Sequence, residues 1–131
     1  MELFGQYEFL KKARPETSPG IGVLVVEGPN DVIRMSMLGR RAVGLCSNRV
    51  SKEQGEEIVR LAREHAEKRV TLMLDNDLEG ESGARQALWE IANRGAAVRL
   101  AWSRSLDGGK YTDRQPESLT EEEWQEILAR L

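Results

Sequence analysis

The sequence predicts an α/β domain with a four-stranded, mainly parallel sheet and helices on both faces of the sheet. Four short apolar or β-branched runs recur along the 131 residues, at positions 22–26, 42–46, 70–74 and 96–102. Between these runs, apolar residues recur at helical spacing. Because strands that alternate with helices form right-handed βαβ units, we expect a Rossmann-like architecture.

The first two strands and the helix between them have clear local signals. Residues 22–26 are apolar throughout, which is typical of a strand buried on both faces of a parallel sheet. A helix is predicted over residues 29–38, because Pro29 suits a first helical turn and Gly39 suits a helix end. The shorter run at residues 42–46 is predicted to be the second strand.

The remaining elements follow in the same alternation. A capping-box pattern at Ser51 predicts a helix that reaches about residue 68, and the third strand follows at residues 70–74. Helical spacing over residues 84–92 predicts the next helix, with Gly80 near its start. The fourth strand is residues 96–102.

The chain is expected to form one domain over residues 1–131. We expect a short helix and a linker over residues 1–20, and the core over residues 21–102. Residues 103–131 contain a polar, glycine-bearing loop over 103–118 and a last helix that follows it.

Composition excludes several classes of protein. No apolar run approaches the ~18 residues of a membrane helix, and no signal peptide is recognised, so we expect a cytoplasmic protein. The single cysteine and single histidine, Cys46 and His65, exclude a Cys/His zinc cluster. We expect Cys46 to be buried as a small hydrophobic residue and His65 to pack at a helix edge.

Acidic residues follow two of the predicted strands. Glu27 comes directly after the first strand, and Asp75 and Asp77 come directly after the third. In open α/β sheets, ligands bind at the carboxyl ends of the strands, so these side chains meet if the two strands are neighbours. An all-carboxylate set without histidine or cysteine favours Mg²⁺. We therefore predict that Asp75 and Asp77 hold metal and that Glu27 is a ligand or a proton carrier.

Basic residues are concentrated in one stretch that contains no acid. They are Arg34, Arg40, Arg41, Arg49 and Lys52. Such a stretch predicts a local surface for DNA or RNA, although a merely solvated surface is an equal alternative. The net charge of −3 argues against tight, autonomous binding to duplex DNA.

Two motifs carry a resemblance to a known family. Residues 23–33, VLVVEGPNDVI, resemble the glutamate motif of Toprim domains, and residues 72–80, LMLDNDLEG, resemble their Asp-x-Asp-x-x-Gly motif. The sequence is most similar to the Toprim module of DnaG-type bacterial and phage primases. The resemblance implies a four-stranded parallel sheet, dependence on Mg²⁺ with Mn²⁺ as a substitute, and catalytic roles for Glu27, Asp75 and Asp77. It also implies that Asp31 lies near the metals.

The chain departs from the primase pattern in three respects. The small glycine-containing turn that primases have after the second strand is here residues 46–49, CSNR. Where primases have an Asp-Pro-Asp-like segment, this sequence has Gln115, Pro116 and Glu117, so Glu117 matches as a metal ligand and Gln115 does not. One metal is then expected to be lost or weakened. No zinc-binding domain or amino-terminal basic subdomain is recognised, so we expect either a fragment or a stand-alone relative of a primase.

Three functions follow from these patterns. The favoured one is Mg²⁺-dependent primase-like nucleotidyl transfer or nuclease activity, within a larger assembly with other replication or repair proteins. The alternative is a non-catalytic Toprim module that binds nucleic acid or a partner protein. A phospho-accepting receiver domain fits less well, because Lys110 lies in a loop well past the fourth strand.

Overall fold

The computed structural model describes residues 3–6 and 20–131. Most of the helix and linker predicted over residues 1–20 lies outside these residues. In the described part, the strands are β1 (Val23–Val26), β2 (Ala42–Gly44), β3 (Arg69–Leu72) and β4 (Ala97–Leu100). The α-helices are α1 (Pro29–Met37), α2 (Lys52–His65), α3 (Leu78–Ala92) and α4 (Glu121–Leu128).

The four strands form one parallel sheet in the order β2-β1-β3-β4. The register pairs Val25 with Val43 of β2 and with Leu72 of β3, and it pairs Val70 with Val98 of β4. The predicted α/β, Rossmann-like fold with a parallel sheet is therefore confirmed. β1 and β3 are neighbours, so the residues that follow these two strands meet at one edge of the sheet, which we call the carboxyl edge.

The sheet is covered on both faces. Alternate residues of a strand point to opposite faces, and β1 is fully buried on both of them. Val23 and Val25 belong to a core that includes residues of α2 and α3, whereas Leu24 and Val26 belong to a second core with residues of α1 and α4. The continuous apolar run in the sequence is thus explained by burial on two sides.

Helix starts follow the side chains that cap them. The predicted capping box is present, since the Ser51 hydroxyl accepts a hydrogen bond from the Gln54 N–H at 3.0 Å. Helix α3 begins at Leu78, two residues before the Gly80 expected near its start, and Asp77 caps it. The Leu78 side chain, in its first turn, is exposed to solvent.

Several local predictions were wrong. Strand β2 ends at Gly44 rather than at residue 46, and Cys46 is exposed with a φ of 60° instead of being buried. The chain turns there because the Cys46 N–H donates to the Glu27 carbonyl oxygen at 2.7 Å. His65 is exposed at the end of α2. The segment predicted as a loop contains two short 3₁₀ turns, Leu106–Gly109 and Pro116–Ser118.

Within the described residues, no helix combines the length and the apolar character that crossing a bilayer requires.

Candidate metal centre at the carboxyl edge

Glu27 and Asp75 are in direct contact at the carboxyl edge of the sheet. The pairing of β1 with β3 brings the turns after these strands together. The Asp75 backbone N–H donates to Glu27 Oε2 at 2.7 Å, although the two residues are 48 positions apart in sequence. This hydrogen bond fixes one oxygen of the Glu27 carboxylate beside the Asp75 turn.

Burial and neighbouring charges change the pKa of Glu27. Desolvation is the largest cause and raises the pKa to about 7, against an ordinary value of 4.5. The hydrogen bond from the Asp75 N–H opposes this rise, while the charges of Asp75, Asp77 and Asp31 add to it. Glu27 is therefore able to gain or lose a proton near neutral pH.

Asp75 carries a carboxylate oxygen that lacks a hydrogen-bond partner. Its Oδ1 atom is buried and unpaired. Desolvation is the main cause that raises the pKa of Asp75 to about 6, and the charges of Asp31, Asp77 and Glu117 raise it further. An unpaired buried carboxylate oxygen is costly, so this atom is well suited to a cation.

Asp77 has a structural role in addition to its charge. It is the N-cap of α3, and its Oδ1 atom accepts a hydrogen bond from the Gly80 N–H at 2.7 Å. Gly80 lies so close to the preceding turn that a Cβ atom there would be 1.8 Å from the Asp75 carbonyl oxygen. The glycine of the sequence motif is thus needed for the turn that carries both aspartates.

Asp31 joins helix α1 to the C-terminal segment. The residue is 5% exposed, and its two carboxylate oxygens accept hydrogen bonds from the Gly28 N–H at 3.1 Å and the Glu117 N–H at 3.0 Å. Burial is the largest cause that raises its pKa. Asp31 does more than complement the helix dipole, because it holds the 3₁₀ turn that carries Glu117 near the other acids.

Asn76, which lies between the two aspartates, was not identified from the sequence. It is 4% exposed, and its side-chain amide donates to the carbonyl oxygens of Ser103 at 3.1 Å and Tyr111 at 2.7 Å. Its backbone N–H donates to the Arg114 carbonyl oxygen, and its own carbonyl accepts from the Asp113 N–H. These four hydrogen bonds attach the segment after β4 to residues 75–77, which we call the aspartate turn. The spacing of residues in the sequence does not indicate this role, because the role depends on carbonyl groups that are distant in the sequence.

The five predicted basic residues do not share one edge of the sheet. Arg40 and Arg41 precede β2 and therefore lie at the amino edge, whereas Arg49 and Lys52 follow β2 and lie at the carboxyl edge. Arg34, on α1, donates to the Leu119 carbonyl oxygen at 2.7 Å and 3.2 Å, which gives it a structural role. The fold thus separates a cluster that is continuous in sequence.

The acids fit a hydrated Mg²⁺ better than a fully protein-ligated ion. Within residues 3–6 and 20–131, no three Asp, Glu, His or Cys side chains are placed to ligate one ion together. Mg²⁺ keeps several waters and is usually held by one or two carboxylates together with substrate phosphates. The unpaired Asp75 Oδ1 and the neighbouring Asp77 are the residues best placed for direct contact. Glu27, Asp31 and Glu117 could then contribute through water.

Comparisons with known proteins identify the family and the fold. The family model of the Toprim domain matches residues 22–101. The fold is similar to a crystal structure of the Aquifex aeolicus primase (zinc binding and RNA polymerase domains), with a TM-score of 0.74 and 20% sequence identity. That alignment covers 98% of this chain and 29% of the primase chain, so this chain spans less than a third of the protein that it matches. No curated protein shows significant similarity to the sequence.

Proposed function

The chain belongs to the Toprim domain family, and from this membership we propose that it performs Mg²⁺-dependent phosphodiester chemistry on DNA or RNA. The reaction would be primase-like nucleotidyl transfer or nucleolytic cleavage. The observation that supports it most directly is the hydrogen bond from the Asp75 N–H to Glu27, with Asp77 two residues further along the chain. The acids thus come from two distant segments that lie side by side at the edge where parallel sheets bind ligands.

Each acid has a distinct part in this proposal. Mg²⁺ or Mn²⁺, when bound, would neutralise developing charge on the transferred phosphate. Asp75 and Asp77 would hold the ion. Glu27 has a pKa of about 7 in the absence of metal, so it can move a proton near neutral pH. A nearby cation would lower this pKa, so Glu27 serves as a water-linked metal ligand or as a proton carrier, but not as both in the same state.

The flanking acids would tune the site. Asp31 is buried and holds the backbone of Glu117, so it would orient that turn and add negative charge. Glu117 would contact the ion through water. Position 115 is glutamine, which cannot supply a charge, and this favours a weaker or missing second metal.

Metal titration provides the first test. We expect isothermal titration of the full chain with Mg²⁺ and with Mn²⁺ to show binding that Asp77→Asn weakens at least tenfold. Asparagine caps helices about as well as aspartate, so this variant removes the charge while it keeps the start of α3. Absence of heat with either ion would overturn the proposal.

Activity provides the second test. Labelled single-stranded DNA and RNA would be incubated with the protein, with and without nucleoside triphosphates and with each metal. Extension, cleavage and simple retention give different products on a gel. We expect weak extension or cleavage that EDTA abolishes, within a larger assembly in which other replication or repair proteins complete the reaction.

A non-catalytic module is the second candidate. One observation favours it, since the described residues contain no group of three acids arranged around a single point. In that case the protein would bind nucleic acid or a partner protein, and the acids would have a structural role. Retention of nucleic acid that is unchanged in Asp77→Asn, together with no metal binding, would support this candidate.

A further inference from the structure

A narrow cleft opens beside the aspartate turn. It lies between the start of α3 and the carboxyl ends of β3 and β4, and its volume is about 90 Å³. Its floor is apolar, while acidic and basic side chains stand around it. The residues that line it include Leu72, Leu74, Leu100, Trp102, Asp75 and Arg104.

Arg104 has hydrogen-bonding capacity that the protein does not use. Its Nε atom is buried without a partner. Its ion pair with Glu81 is loose, at 4.0 Å between Nη1 and Oε2. Arg114, by contrast, donates to both carboxylate oxygens of Glu123 at 2.8–2.9 Å. Arg104 thus has a loosely paired guanidinium group, and it lines the same cleft as Asp75, whose Oδ1 atom is unpaired.

We propose that Arg104 binds a phosphate group of the substrate next to the ion held by Asp75. This inference rests on the proposed function and deepens it by naming the residue that takes the phosphate. Guanidinium groups suit phosphate because their donors form a rigid fork. The apolar floor lowers the local dielectric and so strengthens the charge interaction.

The size and lining of the cleft define what it can hold. Clefts that enclose whole small molecules have volumes of ~300–1,000 Å³, so this one accommodates a phosphate group and leaves the base and most of the sugar outside. Leucine side chains on the floor offer no hydrogen-bonding groups to a base. Binding by Arg104 is therefore independent of nucleotide sequence.

The acids of the cleft make this binding depend on metal. Asp75 and Glu81 line the cleft and repel a phosphate when no cation is present. Arg85 also lines the cleft, and its Nη2 atom lies 3.6 Å from Oε1 of Glu81, so its positive charge offsets only part of the negative charge of Glu81. A metal ion at Asp75 and a phosphate at Arg104 should thus favour one another, and the coupling is reciprocal.

The test compares Arg104→Gln with Arg63→Gln in the full chain. Both variants remove one positive charge, but Arg63 is exposed in the last turn of α2, which leads to the amino edge of the sheet. Binding is measured with a 5′-hydroxyl single-stranded DNA oligonucleotide and, separately, with ATP, each with Mg²⁺ and with EDTA. Circular dichroism and thermal melting verify that the variants fold.

We expect Arg104→Gln to weaken Mg²⁺-dependent binding at least tenfold in one of the two arms, and Arg63→Gln to change it less than twofold. Loss for the oligonucleotide assigns the site to a backbone phosphate, and the slope of log affinity against log salt should then decrease by ~0.7. Loss for ATP assigns it to a triphosphate. Arg104→Lys, which keeps the charge but not the fork, should be intermediate.

The outcomes that contradict the inference are separable from failure of the proposed function. Unchanged affinity of Arg104→Gln in both arms, with Mg²⁺ binding intact, would overturn the role of Arg104 alone. The role of Arg104 would also be overturned if the unaltered protein bound Mg²⁺ but neither the oligonucleotide nor ATP. Failure of the unaltered protein to bind Mg²⁺ would overturn the proposed function and this inference with it.

Discussion

Glu27 and Asp75 are acids whose ionisation is opposed by the folded structure. Partial burial is the main cause that raises their pKa values to about 7 and about 6, and the charges of neighbouring acids add to this effect. In the unfolded chain both groups return to ordinary values near 4.5 and 3.8. The metal-free folded state therefore binds protons that the unfolded state releases.

Stability without metal should consequently fall as the pH rises from about 5 to 8. In this range the native state binds more protons than the unfolded state, so the free energy of unfolding decreases with pH. Hydrogen bonds, chiefly from Arg114 to Glu123 and from Lys110 to Glu126, lower the pKa values of these two glutamates to about 2. Both glutamates therefore titrate below this range. Thermal melting in EDTA at each pH measures the effect.

Glu27→Gln is the matched variant for this measurement. Glutamine keeps the size of the side chain and an oxygen that can accept the Asp75 N–H, but it cannot ionise. We expect its melting temperature to vary less with pH and to exceed that of the unaltered protein at pH 8. A melting temperature that rises with pH in the unaltered protein would contradict this account.

Asn76 is expected to be the polar residue in the aspartate turn on which stability depends most. Asn76→Ala leaves the carbonyl groups of Ser103 and Tyr111 without their donor, which costs about 1–3 kcal/mol for a buried unsatisfied group. Urea denaturation measures the loss. Asn93→Ala, at the exposed end of α3, is the control and should change stability by less than about 0.5 kcal/mol.

At the scale of the elements, α3 lies unusually close to the loop that follows β2. A Cβ atom at Gly83 would be 1.8 Å from the Asn48 carbonyl oxygen, so the helix can approach that loop only with glycine at this position. The same helix carries Asp77 at its start and lines the Arg104 cleft. Its position therefore affects both parts of the candidate site.

Replacement of two helical glycines by alanine should change the free energy of unfolding in opposite directions. Gly83→Ala forces α3 away from the Asn48 loop and should destabilise the protein by about 1–3 kcal/mol. At Gly55 in α2 the added Cβ meets Arg94 Nη1 at an ordinary 3.5 Å, so Gly55→Ala should gain up to about 1 kcal/mol of helix propensity. Denaturant midpoints measure both changes, and a shift of the same sign in both variants would contradict this prediction.

At the scale of the whole molecule, the C-terminal segment is part of the candidate site. Trp124 and Ile127 of α4 are buried in the same core as Leu24 and Val26 of β1. Tyr111 joins this core, and its hydroxyl donates to Glu126 of α4 at 2.6 Å. The segment after β4 is thus held at both ends, by α4 and by the aspartate turn, and it places Glu117 and Arg104 near Asp75.

Mg²⁺ should stabilise the whole fold if the proposed centre is correct. An ion that binds only the folded state adds ~2.7 kcal/mol at one hundred times its dissociation constant. The gain in melting temperature should be larger at pH 8 than at pH 5, because the ion competes with protons for the same acids. Asp77→Asn should reduce the gain, and an unchanged melting temperature at millimolar Mg²⁺ would contradict the site.

Features that depend on local patterns could be predicted from the amino-acid sequence. Apolar runs and helical spacing identified the alternation of strands and helices, and two short motifs identified the Toprim family that the comparisons confirm. Glu27, Asp75 and Asp77 were recognised because they directly follow strands. Where the chain bends before the apolar run ends, as at Cys46, the predicted strand boundary was wrong.

The tertiary structure alone decided the features that depend on which distant segments become neighbours. The order of the strands joins Glu27 to Asp75, and burial then raises their pKa values. The packing of distant segments also explains the hydrogen bonds of Asn76, the unpaired Nε of Arg104 and the separation of Arg40 from Arg49. Hydrogen bonds and desolvation act between atoms in contact, and contacts across the chain are created only when the sheet forms.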